Sequence, residues 1–230
     1  MKEHSKYYKE SNQNNRYWRS PKYLQVEEMV KNYHDDPTDI WINSFGGCRS
    51  NWVCDMLHEN YNTRCKGYQT KGAHAVRPQK VPVQIGIFCY VPDLGIALSS
   101  IEGHIETMWN VYEKLVELKP DEFIDYNMDT YLDLIDQQID NWTNNPHFPT
   151  LILNTDTLEK KETMDLFKTV FGLEGDHKFR ARTTKRVLRS FRPWSRKINK
   201  ISKKLRALPD WELRIPYNTF TQNIDSFILK

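Results

Sequence analysis

Seven consecutive residues, Gly46, Gly47, Cys48, Arg49, Ser50, Asn51 and Trp52, follow directly on the apolar run DIWINSF. Their types suit the holding of an anion. Two glycines let a ligand approach the backbone, Arg49 brings a positive charge, and the Ser50 hydroxyl and Asn51 amide add hydrogen-bonding groups. If a helix begins here, its first N–H groups and the positive end of its dipole point at the same spot. The pattern is neither GxxxxGK[ST] nor GxGxxG, and no evident strand-borne Asp is placed to hold magnesium. The competing reading is a tight Gly-Gly bend with Arg49 facing solvent. The four cysteines, Cys48, Cys54, Cys65 and Cys89, form no CxxC pair and no metal-ligand spacing. Small buried thiols in a reducing compartment are expected, and no metal.

An anion loop needs a strand before it and a helix after it, and the surrounding sequence supplies both. Asp39 to Ser44 reads as a strand and Asn51 to Glu59 as a helix. Val81 to Val91 is a continuous apolar run suited to a strand covered on both faces. Residues 95–118 read as one long helix, Asp129 to Trp142 as a second, Thr150 to Asn154 as a strand, and Leu158 to Phe171 as a helix closed by Gly172. This alternation predicts an α/β fold with a central parallel sheet of four to five strands flanked by helices. The ligand crevice is expected at the carboxyl ends of the strands, where the loops after the first and third strands face each other.

The 230 residues, 39% of them hydrophobic, suffice to bury a core, and one domain over 21–230 is expected. Residues 1–20 are polar and rich in Asn and Lys and read as a flexible tail, with a short amphipathic helix from Pro21 to Tyr33 after it. No apolar run approaches the ~20 residues of a membrane helix, and the first residues lack the apolar stretch of a signal peptide. A cytoplasmic location without membrane contact is the expectation. The net charge of +3 is unevenly spread. Acidic residues crowd 102–140, whereas the segment 178–206 is full of Lys and Arg and has no carboxylate. Asp121, Asp125, Asp129, Asp133, Asp136 and Asp140 lack the spacing of a calcium loop and read as solvated helix faces.

NSFGGCRSNWV resembles the first phosphate-binding loop of the sulfotransferase superfamily, in which a strand is followed by Ser, an aromatic residue, a Lys-Ser-Gly-type turn, two small polar residues and Trp. Ser44, Phe45, Ser50, Asn51 and Trp52 fall into that frame. Further stretches come in the family's order. TKGAHAVRP resembles the segment carrying a Lys-x-His element, with one extra residue between Lys71 and His74. FCYVPDLGIALSSI resembles the strand-to-helix stretch Arg-Asp-Pro-Arg-Asp ending in Ala-x-x-Ser, with Asp93 and Ser100 retained. YLDLIDQQIDNWTN, then FPTLILNTDTLEKKETMDLFKTVFGL, then FRARTTKR resemble the family's Trp-bearing helix, late strand and helix, and basic turn. The likeness spans about 40–186.

The resemblance implies a sulfotransferase-like three-layer sandwich, related to the P-loop nucleotide hydrolases. It implies metal-free transfer of a sulfuryl group from 3′-phosphoadenosine 5′-phosphosulfate (PAPS), leaving PAP, to a hydroxyl or amine. By similarity Gly46, Gly47, Cys48, Arg49, Ser50, Asn51 and Trp52 would hold the 5′-phosphosulfate, Ser100 and Arg182, or a later basic residue in its place, would serve the 3′ end, and His74 would be the base, with Arg49 assisting the transfer. Each role has a plainer competitor: a surface or capping histidine at His74, and a helix N-cap at Ser100. Two positions depart from the family. Gly47 stands where the family has Lys or Arg, with Arg49 in the place of the loop glycine, and Pro92 replaces the usual 3′-phosphate arginine. The acceptor it implies is a small molecule or glycan, an anionic one included. A binding protein that has lost its chemistry is the alternative. A further one takes the 178–206 segment, whose cations interleave with Phe179, Phe191 and Trp194, as a surface for nucleic acid or another polyanion. Its plain counterpart is a helix pair with Val187, Leu188, Ile198, Ile201 and Leu205 turned inward.

Overall fold

The computed structural model describes residues 39–58, 60–61, 63–64, 74–78, 83–102, 105, 127–177, 179, 181–183 and 186–216. The expected tail over 1–20, the helix Pro21–Tyr33 and most of the long helix beyond Ser100 lie outside them.

β1 (Ile40–Ser44) is buried at every position, as expected of a strand covered on both faces. The chain then turns through the two glycines into α1 (Ser50–Leu57) and returns as the short β2 (Thr63–Arg64). β3 (Ile85–Tyr90) leads into α2 (Leu94–Ser100), α3 (Met128–Thr143) precedes β4 (Thr150–Asn154), and α4 (Lys161–Val170) follows a 3₁₀ turn over Thr155–Glu159. A second 3₁₀ stretch (Arg189–Trp194) runs straight into α5 (Ser195–Arg206), and β5 (Trp211–Arg214) ends the described chain's regular structure.

The strands form one sheet in the order β2-β1-β3-β4-β5. Pairing is parallel from β2 to β4, with Ile42 opposite Ile87 and Ile87 opposite Leu151. β5 runs antiparallel to β4, Leu213 opposite Leu151, so the sheet is mixed and the expectation of an all-parallel sheet is corrected. β5 follows α5 in the chain and lies outside β4 at the edge of the sheet.

Other boundaries also moved. α2 closes at Ser100 because Ile101 leaves helical backbone (φ −121°, ψ 14°), so 95–118 is not one uninterrupted helix. The Leu158–Phe171 helix is broken at Lys160, whose extended backbone separates the 3₁₀ turn from α4. Gly172 does close α4 in the left-handed conformation (φ 58°).

The core centres on an aromatic group between β1, β3 and α3. Trp41 meets Trp142 edge-on at 5.0 Å between ring centroids, and Phe88 stacks on Trp142 at 6.3 Å; such pairs contribute about 0.5–1.5 kcal/mol beyond their area. Gly86 in β3 makes room for them, since a Cβ there would come within 2.7 Å of Phe148. α5 packs on α2 and α3 through Ile198, Ile201 and Leu205. The inward half of the plain reading holds for these three residues, whereas Val187 and Leu188 remain exposed. The acidic row of α3 is not merely solvated: Lys197 pairs with Asp133 (2.8 Å), and Lys204 with Asp136 and Asp140 (2.7 Å each).

Candidate functional site

From β1 the chain moves through α1 outward to β2, and from β3 through α2 and α3 the other way to β4. Right-handed crossovers place these connections on opposite faces and open a crevice between the carboxyl ends of β1 and β3. A cavity of about 310 Å³, lined by Gly47, Arg49, Trp52, Ser100, Ala181, Arg182 and Thr183, sits among the segments that follow those ends. Its size is at the small end of the range for ligand sites.

The loop that forms its floor is held in an unusual backbone shape. Gly46 (φ 87°), Gly47 (φ 67°) and Arg49 (φ 58°) are all left-handed, conformations cheap for glycine and costly for arginine. Gly47 has a second reason to lack a side chain. A Cβ there would lie 2.2 Å from the Ala97 carbonyl oxygen and 2.8 Å from Ser100 Oγ, so the loop rests directly on the end of α2. α1 starts without a side-chain cap and without an acidic residue in its first turn, which leaves the positive end of its dipole unanswered by the protein's own carboxylates within that turn. Beneath the loop, Ser50 Oγ meets Ser44 Oγ at 2.9 Å, and Thr155 Oγ1 donates to the Cys48 carbonyl at 2.8 Å. These bonds tie the loop to β1 and to the end of β4.

Arg49 does not face solvent; its side chain is 10% exposed. The guanidinium lies 4.7 Å from the Phe179 ring centroid, pairs with Asp156, and donates to Glu159 Oε1 at 2.5 Å. Arg182 reaches the same carboxylate, Asp156, at 3.3 Å and donates through Nη1 to the Gly47 carbonyl at 2.9 Å. Its remaining terminal nitrogen, Nη2, is buried and has no hydrogen-bond partner among the described residues, a costly state for a charged donor. Burial tends to raise the Glu159 carboxyl, but hydrogen bonds from Arg49 and from the Arg182 backbone, with both charges, hold it below the ordinary glutamate value. Two cations and two carboxylates thus share one edge of the cavity.

Five nominated residues, Gly47, Arg49, Trp52, Ser100 and Arg182, meet on the cavity wall. Trp52 is 40% exposed and meets Phe179 edge-on at 6.4 Å. Ser100 is not an N-cap: Asp93 caps α2 by accepting from the Ile96 N–H at 3.1 Å, and Ser100, at the far end of that helix, donates to the Ala97 carbonyl at 2.6 Å. Gly46, Cys48, Ser50 and Asn51 are not on the wall. Gly46, Cys48 and Ser50 are buried and Asn51 is exposed. Burial pushes the Cys48 thiol far up, with Arg182 opposing, so it stays protonated and is not a nucleophile at neutral pH.

His74 also stands off the wall, buried at the end of β1. Its Nδ1 lies 2.6 Å from the Ser44 carbonyl. A carbonyl only accepts, so Nδ1 carries the proton and Nε2 the lone pair. Burial lowers its pKa, partly offset by that hydrogen bond. The segment holding His74 is pinned from α3: Trp142 Nε1 donates to the Ala75 carbonyl at 2.8 Å, Gln138 Nε2 to the same oxygen at 3.2 Å, and Asn141 Nδ2 to the Val76 carbonyl at 3.1 Å.

Sequence reasoning missed Asp156, Glu159, Ala181 and Thr183. A usable signal existed for the first, since Asn154-Thr155-Asp156 closes an apolar strand at the end of the sheet where ligands bind. Among the described residues no group of three or more His, Cys, Asp or Glu could hold a metal ion, and no helix is long and apolar enough to cross a membrane. Comparison with protein-family models, curated proteins and solved structures finds no match. What the chain displays is an α/β fold with a mixed sheet and a lined crevice at its switch point.

Proposed function

We propose that this chain is a sulfotransferase-like protein that binds PAPS, and its product PAP, in the crevice beside Gly47. The observation that carries the reading is the convergence of Gly47, Arg49, Trp52, Ser100 and Arg182, drawn from three separate stretches of sequence, on one cavity. The donor set fits a phosphate ester. Among the described residues Arg182 Nη2 is a buried charged donor without an acceptor, Gly47 lines the cavity, and the uncapped α1 offers its dipole. Trp52 and Phe179 provide an aromatic rim for a planar base. The proposal extends to the three-layer sandwich of that family.

As a transferase, the bound donor supplies the sulfuryl group. The acceptor oxygen or nitrogen bonds to sulfur as the sulfur–oxygen bond to the phosphate breaks, and the acceptor's proton passes to His74 Nε2. Arg49, Arg182 and the loop N–H groups would stabilise the negative charge left on the phosphate. The tautomer of His74 suits a base.

Two observations favour the second reading, a binding protein on the same fold. His74 is buried away from the cavity wall, and Arg49 already carries two carboxylates. A thermal-shift titration with PAP, against ATP and inorganic sulfate, tests the shared part: binding to the folded state raises stability by RT ln(1 + [L]/Kd), about 2.7 kcal/mol at a hundredfold excess over Kd. A selective PAP shift that Arg182→Met removes is expected; no shift with PAP rejects both donor-based readings. Transfer that His74→Ala abolishes while leaving the PAP shift intact then selects the enzyme. PAP binding without transfer across an acceptor screen selects the binding protein.

A further inference from the structure

We infer that the outer face of the continuous helical stretch from Arg189 to Arg206 is a docking surface for the phosphate backbone of a nucleic acid, separate from the cavity and independent of the reading proposed for it. α5 divides its residues by direction. Ile198, Ile201, Ser202 and Leu205 face inward and are buried. Lys197 and Lys204, seven residues apart, turn sideways to the acids of α3, and Arg206 reaches Asp93 at the head of α2 at 3.6 Å. Arg196, Lys200 and Lys203 point away from the buried side, at the spacing of four and three residues that keeps one helix face. Arg192 and Arg189 continue the row through the preceding 3₁₀ stretch. All five are exposed, and among the described residues no carboxylate pairs with any of them.

Sequence alone left this segment open between a solvated helix pair and a polyanion surface. The structure separates cations that hold the fold from cations that do not. The row covers about 24 Å, a positive charge roughly every 6 Å, against a phosphate every 3.4 Å of axis on each strand of a duplex. A flexible single strand lays a phosphate against each position of the row without any sequence requirement. A membrane surface fits less well, because the apolar side of α5 is already buried in the domain and the exposed apolar side chains beside the row are Val187 and Leu188, too few for an inserting face. Base stacking is not expected either: Phe191 is buried, and Trp194 is turned to Asp129, its Nε1 donating at 3.4 Å.

The test is fluorescence anisotropy of a labelled 20-nucleotide oligo-dT with the full chain between 50 and 200 mM NaCl. Five phosphate contacts on a single strand give a log–log salt slope near −3.5, about a hundredfold weakening over that range. In the combined Arg196→Gln, Lys200→Gln, Lys203→Gln variant the slope should shrink by about 2, while a charge-conserving Lys200→Arg, Lys203→Arg variant keeps it. Circular dichroism melts should show both variants folded as wild type, since the altered side chains are exposed. No retention at 50 mM, or a slope the triple variant leaves unchanged, overturns the inference. So does equal or tighter retention of chondroitin sulfate at matched charge, which would assign the face to a glycan, or selective capture by phosphatidylserine vesicles, which would assign it to a membrane.

Discussion

Gly47 combines the two constraints that glycine alone meets, a positive φ and a carbonyl where its side chain would be. The Ala97 oxygen that a Cβ would strike belongs to helix backbone and cannot swing aside as a side-chain tip could. Gly47→Ala should therefore cost roughly 2–5 kcal/mol, the sum of left-handed strain and overpacking, read as a lower midpoint in urea unfolding. A neutral result would mean that the loop does not rest on α2. Arg49 is the contrasting case, a non-glycine in the same left-handed region, held there by Phe179, Asp156 and Glu159. Its left-handed backbone lets the side chain leave the start of α1 toward the end of β4, and its partners lie 107 and 110 positions along the chain. No local spacing foretells such a pair, which is why solvent-facing Arg49 was a reasonable reading of SFGGCRSN alone.

At the scale of elements, legibility followed burial. β1, β3 and β4 are covered on both faces and stand out as the apolar runs IWI, IGIFCY and TLIL. α3 announces itself by Leu132, Ile135, Ile139 and Trp142 on one stripe. β5 did not, because WELR is an edge strand with two exposed residues and two half-buried ones, too short and mixed for any period to show. The end of α2 was hidden by Ile101 and Ile105, which carry the apolar rhythm past the helix's true close. The one-carbonyl hub at Ala75 was hidden too, since nothing in Gln138 or Trp142 names its partner. Trp142→Phe keeps the ring between Trp41 and Phe88 but removes the indole N–H from that carbonyl. Because Gln138 and Asn43 still donate to that carbonyl, the loss should cost about 0.5–1.5 kcal/mol and loosen the His74 segment, visible as faster amide exchange at Ala75 and Val76. Exchange confined to α3 would show that the bond does not hold the segment.

At the scale of the whole molecule, pH acts on stability through particular titratable groups. The α3–α5 pairs are partly exposed and each contributes at most about 1 kcal/mol, so acid sensitivity near neutrality falls to buried groups. His74 is lowered by burial, and an unfolded chain returns it to about 6.5. Below that value the unfolded state binds a proton the native state resists. His74 thus contributes stability that is complete above about 6.5 and is lost as pH falls toward its depressed native pKa. Glu159, held low by Arg49 and Arg182, adds a second loss in the same direction but lower, beginning only as pH falls through the ordinary carboxylate value near 4.3. Unfolding free energy measured in urea from pH 8 to about pH 2 should accordingly decline in two stages. His74→Gln should flatten the upper stage alone, and Glu159→Gln the lower stage alone. A wild-type profile level between pH 7 and 5.5 would mean that His74 titrates as an exposed histidine does, and would remove the fixed tautomer on which its proposed role as a base depends.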